Sequence, residues 1–170
     1  MSKLMRAGLM SAVMVILMCS AVFAQADFVP QGSTTVPVMT FYANAKYWYR
    51  TNIYLSNITN SDVKCKVTVY DHDGIEIPQY IHVSTGNNSG SSVHISIGAE
   101  EFDIPAHSSR MATVKVENGN KAIYGYAVIE WASEDSFARR ALIGDVRKYG
   151  LGAGGQPYGG HYPLNNGQPF

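Results

Sequence analysis

The chain has 170 residues, with 13 Lys and Arg against 13 Asp and Glu, so its formal net charge is zero when histidine is neutral. This length allows one domain with its own apolar core. A balanced charge without a basic cluster gives no attraction for nucleic acid or for an anionic membrane surface, so neither is expected as a partner.

Residues 1–26 predict a secretory signal peptide. A basic start is followed by an apolar run over 9–23 and by the small-residue motif AQA at 24–26. The run is short for a transmembrane helix, so we expect export to the periplasm, the cell surface or the exterior, and no membrane span after cleavage. Cleavage would leave one cysteine, Cys65, which cannot form an internal disulfide.

After an N-terminal lead over 27–35, apolar and polar residues alternate with period two, which is typical of strands with one buried face. We expect strands at 36–42, 47–57, 62–71, 75–83, 92–97, 110–116, 122–132 and 141–147. Turn formers rich in Gly, Asn, Ser and Asp separate these segments. Seven to eight short strands over 36–149 predict a single antiparallel β-sandwich.

Two of these strands and the C-terminal segment suggest further organisation. Pro78 removes a backbone donor from the 75–83 strand, which predicts an edge strand or a bulge. Such an edge could accept a strand from another copy. Apolar and aromatic residues on both faces of 122–132, with Tyr124 and Tyr126 on one of them, predict a central strand that is covered on both sides. A bulky neighbour is expected to pack across Gly125. Residues 150–170 are rich in Gly, Pro, Asn and Gln, which predicts a flexible tail.

The sequence DHDG at 71–74 offers two interpretations. Asp-Gly is typical of a tight turn between strands, whereas Asp71 and Asp73 could also begin a divalent-cation site. The spacing does not fit a calcium loop, because Gly74 comes too early and His82 stands where a bidentate glutamate is needed. The turn is the favoured interpretation, and no metal or other cofactor is expected.

The sequence lacks a G-x-S-x-G elbow, an H-E-x-x-H helix and a phosphate-binding glycine loop. Cys65 shares an apolar face with Val63 and Val67, which indicates a core residue rather than a reactive thiol. We therefore expect no enzymatic activity. A metal-dependent hydrolase over 71–82 remains a third alternative.

An aromatic group over 42–54 could bind a ligand or a protein partner, since Tyr and Trp on a sheet surface are common in both roles. The alternative is that several of these side chains fill the interior. The candidate binding residues, including two at the expected edge strand, are Tyr47, Trp48, Tyr49, Tyr54, Pro78 and Tyr80.

Three segments, NIYLSNITNSDVKCKVTVYDHDG, FDIPAHSSRMATVKV and IYGYAVIEW, resemble bacterial exported immunoglobulin-like or fibronectin-III-like modules over residues 50–132. The resemblance lies in turn chemistry and strand alternation. It implies a sandwich used for assembly, adhesion or packing on another protein.

Together these observations predict an exported, non-enzymatic β-sandwich that acts as a structural, assembly or protein-binding subunit. The expected partner is a second copy or another exported protein. The competing hypothesis is a module that binds a glycan or another small ligand through surface Tyr and Trp.

Overall fold

The computed structural model describes residues 28–44, 46–98, 100–116, 121–152 and 154–170. The predicted signal peptide over 1–26 lies outside the described residues. Within the described part, no helix is long and apolar enough to cross a membrane.

The described chain is all-β, and every strand pairing is antiparallel. Short 3-10 turns occur at Pro78–Tyr80 and Leu164–Gly167. The strands are β1 (Gly32–Ala43), β2 (Trp48–Asn57), β3 (Val63–Tyr70), β4 (Ile81–Gly86), β5 (Ser92–Ile97), β6 (Phe102–Ile104), β7 (Ser109–Val114), β8 (Lys121–Ser133), β9 (Leu142–Leu151) and β10 (Pro157–Pro163).

The hydrogen-bonded strand order is β5-β4-β7-β2-β1-β8-β3-β6, and β9 pairs with both β2 and β10. The sheet forks at β2, because β1 pairs with residues 48–50 and β7 pairs with residues 52–56. Near this fork the backbone N–H of Thr40 donates to Oγ1 of Thr51 at 3.0 Å, which satisfies a buried donor where β1 leaves β2. We call β6-β3-β8-β1 the short arm and β5-β4-β7-β2-β9-β10 the long arm.

Strand alternation places apolar residues from both arms in one buried cluster. On β3, the predicted apolar face is confirmed, since Val63, Cys65 and Val67 are all buried. β8 lies between β1 and β3, as predicted for a central strand, and it contributes the fully buried Trp131.

The prediction of an edge strand over 75–83 is wrong. Glu76 forms an isolated antiparallel bridge with Tyr70. The N–H of Ile77 donates to the carbonyl of Val69, so the start of this segment pairs with the end of β3. Pro78 then starts a 3-10 turn, where its fixed φ fits and its missing donor costs no ladder bond. β4 begins at Ile81 and has a paired strand on each side, β5 and β7, so it is not an edge strand.

The prediction of a flexible tail over 150–170 is also wrong. β9 extends to Leu151, and residues 157–163 pair with it as β10. Phe170 is buried, its N–H donates to the carbonyl of Leu142 at 2.9 Å, and its own carbonyl accepts from the N–H of Leu142 at 3.1 Å. Backbone pairing and two buried side chains, Leu164 and Phe170, anchor a segment whose composition is poor in apolar residues.

β1 begins at Gly32, inside the predicted N-terminal lead over 27–35. The three-residue strand β6 was not predicted. The other predicted strands agree with the structure to within a few residues at their ends.

Candidate functional site

Alternation along β2 divides the predicted aromatic group between two faces. Trp48 and Tyr54 lie on one face, and Tyr49 lies on the other, because successive side chains of a strand point in opposite directions. The aromatic residues over 42–54, which are close together in the sequence, therefore lie on two separate surfaces.

The first surface is a row of tyrosines that crosses from β3 over β8 to the β1–β2 hairpin. Tyr70 is directly opposite Tyr126 on the neighbouring strand, and Tyr42 is directly opposite Tyr49. We define the tyrosine stripe as Tyr42, Tyr47, Tyr49, Tyr70, Tyr124 and Tyr126. Tyr124 and Tyr126 were predicted to lie on a covered face of β8, but they are 50% and 38% exposed.

The rings of the stripe stack mainly on one another. Tyr42 lies between Tyr47 and Tyr49, with ring-centroid separations of 5.1 and 5.3 Å and interplanar angles of 13° and 15°. Tyr70 and Tyr126 form a second stack with centroids 4.9 Å apart at 16°. These contacts cover both faces of the Tyr42 ring and one face of each ring stacked on it, and the second stack covers one face each of Tyr70 and Tyr126.

The local sequence explains both stacks. Asn44 accepts the backbone N–H of Tyr47 on its side-chain oxygen at 2.9 Å, and this turn brings Tyr47 back over Tyr42. At the other stack, a Cβ on Gly125 would lie 1.8 Å from the carbonyl oxygen of Tyr70. Only glycine allows β3 to approach β8 this closely, next to the stacked pair. The close neighbour is thus backbone, not the bulky side chain that the sequence predicted.

Hydroxyl contacts link four members of the stripe in two pairs. The hydroxyl oxygens of Tyr49 and Tyr124 are 3.2 Å apart, and the hydroxyl of Tyr47 donates to that of Tyr42 at 3.4 Å. The hydrogen bond to Tyr42 is the main cause that raises the pKa of Tyr47. Burial, followed by the hydrogen bond to Glu76, raises the pKa of Tyr70. At neutral pH these two phenols therefore keep their protons and can act as donors.

The second surface lies on the long arm and combines aromatic rings with cations. Trp48 and Tyr149 meet edge to face at 5.1 Å, and the Arg50 guanidinium lies 5.3 Å from the Trp48 ring centroid. Farther along the same face, Arg147 lies 5.1 Å from the Tyr54 ring centroid. Cations thus occupy positions over these rings.

Pro78 and Tyr80 belong to neither surface. The Lys121 ammonium lies 4.4 Å from the Tyr80 ring centroid and donates a hydrogen bond to its hydroxyl, which is the main cause that lowers the pKa of Tyr80. Tyr80 also packs against the core. It thereby connects the turn before β4 to the start of β8.

The interpretation of residues 71–74 as a turn is confirmed. One carboxylate oxygen of Asp71 accepts the N–H groups of Asp73 at 2.9 Å and Ile75 at 3.0 Å, and Gly74 has φ of 76°. The bond from Ile75 is the main cause that lowers the pKa of Asp71. Within the described ranges, no three His, Cys, Asp or Glu side chains are grouped so that they could hold a metal ion.

Residues that could take part in nucleophilic chemistry have structural partners. Cys65 is fully buried, and burial raises the pKa of its thiol, which disfavours the reactive thiolate. The His107 ring lies 2.9 Å from the side-chain oxygen of Asn60, and the hydroxyl groups of Ser109 and Ser56 are 2.7 Å apart. These contacts join neighbouring loops and strands.

No protein-family model matches the chain, and no curated protein matches it. Among solved structures, the Bacillus licheniformis lipase BlEst2 in propeptide form matches 92% of this chain and 47% of its own, with 11% identity and a TM-score of 0.19. The SPBc2 prophage-derived protein YomS matches 62% of this chain and 96% of its own, with 16% identity and a TM-score of 0.20. The chain thus spans about half of the lipase, and TM-scores this low carry no argument about function.

Proposed function

We propose that this protein is an exported, non-enzymatic subunit that binds another protein through the tyrosine stripe, as part of a structural assembly. The observation that carries this proposal is the surface of six tyrosines that runs from β3 over β8 to the β1–β2 hairpin. Four of them are linked by ring stacking and a hydroxyl contact, and the other two form a second stack. Tyrosine supplies a large, rigid contact area with a polar tip, which is why it is enriched at protein interfaces.

The ring geometry supports a protein partner over a glycan. Stacking on a sugar requires an aromatic ring whose face is open, whereas the centre of the Tyr42 stack has a ring on each side. The hydroxyl groups of the stripe can instead bind backbone carbonyls of a protein partner, and the ring edges can contact its apolar side chains. Glycan binding remains the second candidate because Tyr124 is 50% exposed and takes part in no such ring stack within the described residues.

For the fold, we propose the immunoglobulin-like sandwich that the sequence resemblance implies. The fork at β2 supports it, because strands of both arms contribute to a single buried cluster. Export is proposed from the 1–26 segment. N-terminal sequencing of the protein purified from its natural cells should begin at Asp27, and an intact N-terminus would contradict export with cleavage.

Site-specific photo-cross-linking tests the proposed interface. Benzoylphenylalanine replaces Tyr124 in the full chain, and Tyr149 serves as the matched control because it is 45% exposed on the other face. In the natural cells, irradiation should give a discrete adduct of the chain with a second polypeptide from position 124 and none from position 149.

Mass spectrometry of the adduct identifies the partner. Failure to form an adduct at 124, or equal yields at both positions, would contradict a protein interface at the stripe. Glycan binding on an array that Tyr124→Ala removes would favour the second candidate instead.

A further inference from the structure

β5 is an edge strand that is exposed over most of its length. Within the described residues it pairs only with β4, and five of its six residues are exposed. Its aliphatic side chains Val93, Ile95 and Ile97 are 45%, 38% and 50% exposed. The bulge in the pairing with β4 shifts the alternation, so Val93 and Ile95 lie on one face of β5 and Ile97 lies on the other. Exposed β-branched side chains beside the unpaired backbone of an edge strand are a ready template for another strand.

The other outer strands carry features that oppose pairing. β6 has only three residues, with exposed Asp103 at its centre. β10 begins with Pro157 and ends with Pro163, each of which lacks a backbone donor. β5 contains neither proline nor a Lys, Arg, Asp or Glu side chain, and its one irregularity is a bulge between Ser96 and His94. The contrast singles out β5 among these edges.

We propose that β5 pairs antiparallel with β5 of a second copy of this chain across a two-fold axis. In such a pairing the two facing strands have the same sequence, so a charge near the two-fold axis would lie close to the identical charge of the other copy. The sequence from 82 to 98 has no Lys, Arg, Asp or Glu, so this repulsion is absent. Val93 and Ile95 of one copy would instead contact the aliphatic side chains of the other.

The β4–β5 hairpin has a turn that is fixed by side-chain hydrogen bonds. The side-chain oxygen of Asn87 accepts the N–H groups of Ser89 at 3.0 Å and Ser91 at 3.2 Å, which fixes the turn between β4 and β5. The dimer would join the long arms of two copies into one continuous sheet. This interface is separate from the tyrosine stripe.

Sedimentation of the full chain, expressed with its N-terminal segment and purified as the cell processes it, tests the dimer between about 1 µM and 1 mM. The wild type should form a dimer, and Ile95→Lys should weaken it at least about tenfold by placing like charges together. Ile58→Lys is the matched control, since Ile58 is 46% exposed outside any strand, and it should dimerise like the wild type. Unchanged far-UV circular dichroism shows that the Ile95→Lys variant is folded.

Cysteine cross-linking tests the strand pairing itself. Val93→Cys or Ile95→Cys should give a disulfide-linked dimer on mild oxidation, because facing strands bring Cα atoms within bonding range. Ile75→Cys, exposed in the turn after β3, should stay monomeric on the same gel. A wild type that is monomeric throughout, a dimer that Ile95→Lys does not weaken, or no cross-link from either β5 position would overturn the proposal.

Discussion

At the scale of single residues, Gly125 decides how closely β3 approaches β8. A Cβ at this position would lie 1.8 Å from a backbone oxygen, and a backbone atom cannot rotate away as the end of a side chain can. The residue lies between two members of the tyrosine stripe. Its absent side chain therefore affects both the sheet and the surface built on it.

We predict that Gly125→Ala lowers the free energy of unfolding by about 3 kcal/mol, because the strands must separate to admit the methyl group. Urea unfolding measures the change. Gly160→Ala is the control, since a Cβ there would meet nothing within 4 Å, and it should change stability by less than about 0.5 kcal/mol. Equal effects of the two variants would contradict the close approach.

Burial raises the pKa of the Cys65 thiol, so stability should depend on pH through this group. The unfolded chain releases this proton near pH 8.5 and the folded chain does not, so unfolding becomes more favourable as pH rises above that value. The contribution of the protonated Cys65 thiol to the free energy of unfolding is fully present below about pH 8.5. It decreases by about 1.4 kcal/mol for each further pH unit.

Comparison with Cys65→Ala isolates this effect from the titration of the tyrosines. The difference in unfolding free energy between wild type and variant should be constant from about pH 6 to 8 and should then shrink as the wild type loses stability. Unfolding curves measured from about pH 6 to 10 check it. If the unfolding free energies of wild type and Cys65→Ala instead change in parallel above about pH 9, Cys65 is not held protonated in the folded chain.

At the scale of elements, the C-terminal segment is held by its pairing rather than by its composition. We predict that Phe170→Ala lowers the free energy of unfolding by about 3 to 5 kcal/mol, because it empties a buried ring position beside β9. Chemical denaturation measures the loss. Gln168→Ala, at an exposed position, should have little effect, and an equally small effect of Phe170→Ala would show that the segment is not packed.

The elements also show where sequence patterns succeed. Period-two alternation predicted β2, β3 and β8 because each strand has one face toward the core, as the buried Val63, Cys65 and Val67 show. It failed at 75–83, where Pro78 is compatible with both an edge strand and the start of a 3-10 turn. It failed again at 157–163, because a Gly- and Pro-rich strand obtains its order from the partner β9, which lies outside the pattern itself.

At the scale of the whole molecule, the all-β class could be predicted, but the surfaces could not. The tyrosine stripe joins residues from four strands or their ends, and only the register places Tyr70 against Tyr126 and Tyr42 against Tyr49. The sequence group over 42–54 identified half of the stripe. Alternation along β2 places Trp48 and Tyr54 on the face opposite to Tyr49 and therefore outside the stripe.

The strand order also separates the two proposed interfaces. In the hydrogen-bonded path, β4, β7, β2 and β1 lie between β5 and the β8 strand that carries Tyr126. Substitutions at distant sites without shared partners combine additively to within about 0.5 kcal/mol. We therefore expect the two interfaces to respond to mutation independently.

The test is a set of crossed measurements on four chains, namely wild type, Tyr126→Ser, Ile95→Lys and the double variant. Tyr126→Ser should leave the dimer dissociation constant within about twofold of the wild type, since a coupling below about 0.5 kcal/mol allows no larger change. Ile95→Lys should leave the yield of the position-124 adduct, counted per chain, unchanged. Loss of the adduct in Ile95→Lys would mean that partner binding requires the dimer, whereas loss of the dimer in Tyr126→Ser would place self-association at the stripe instead of at β5.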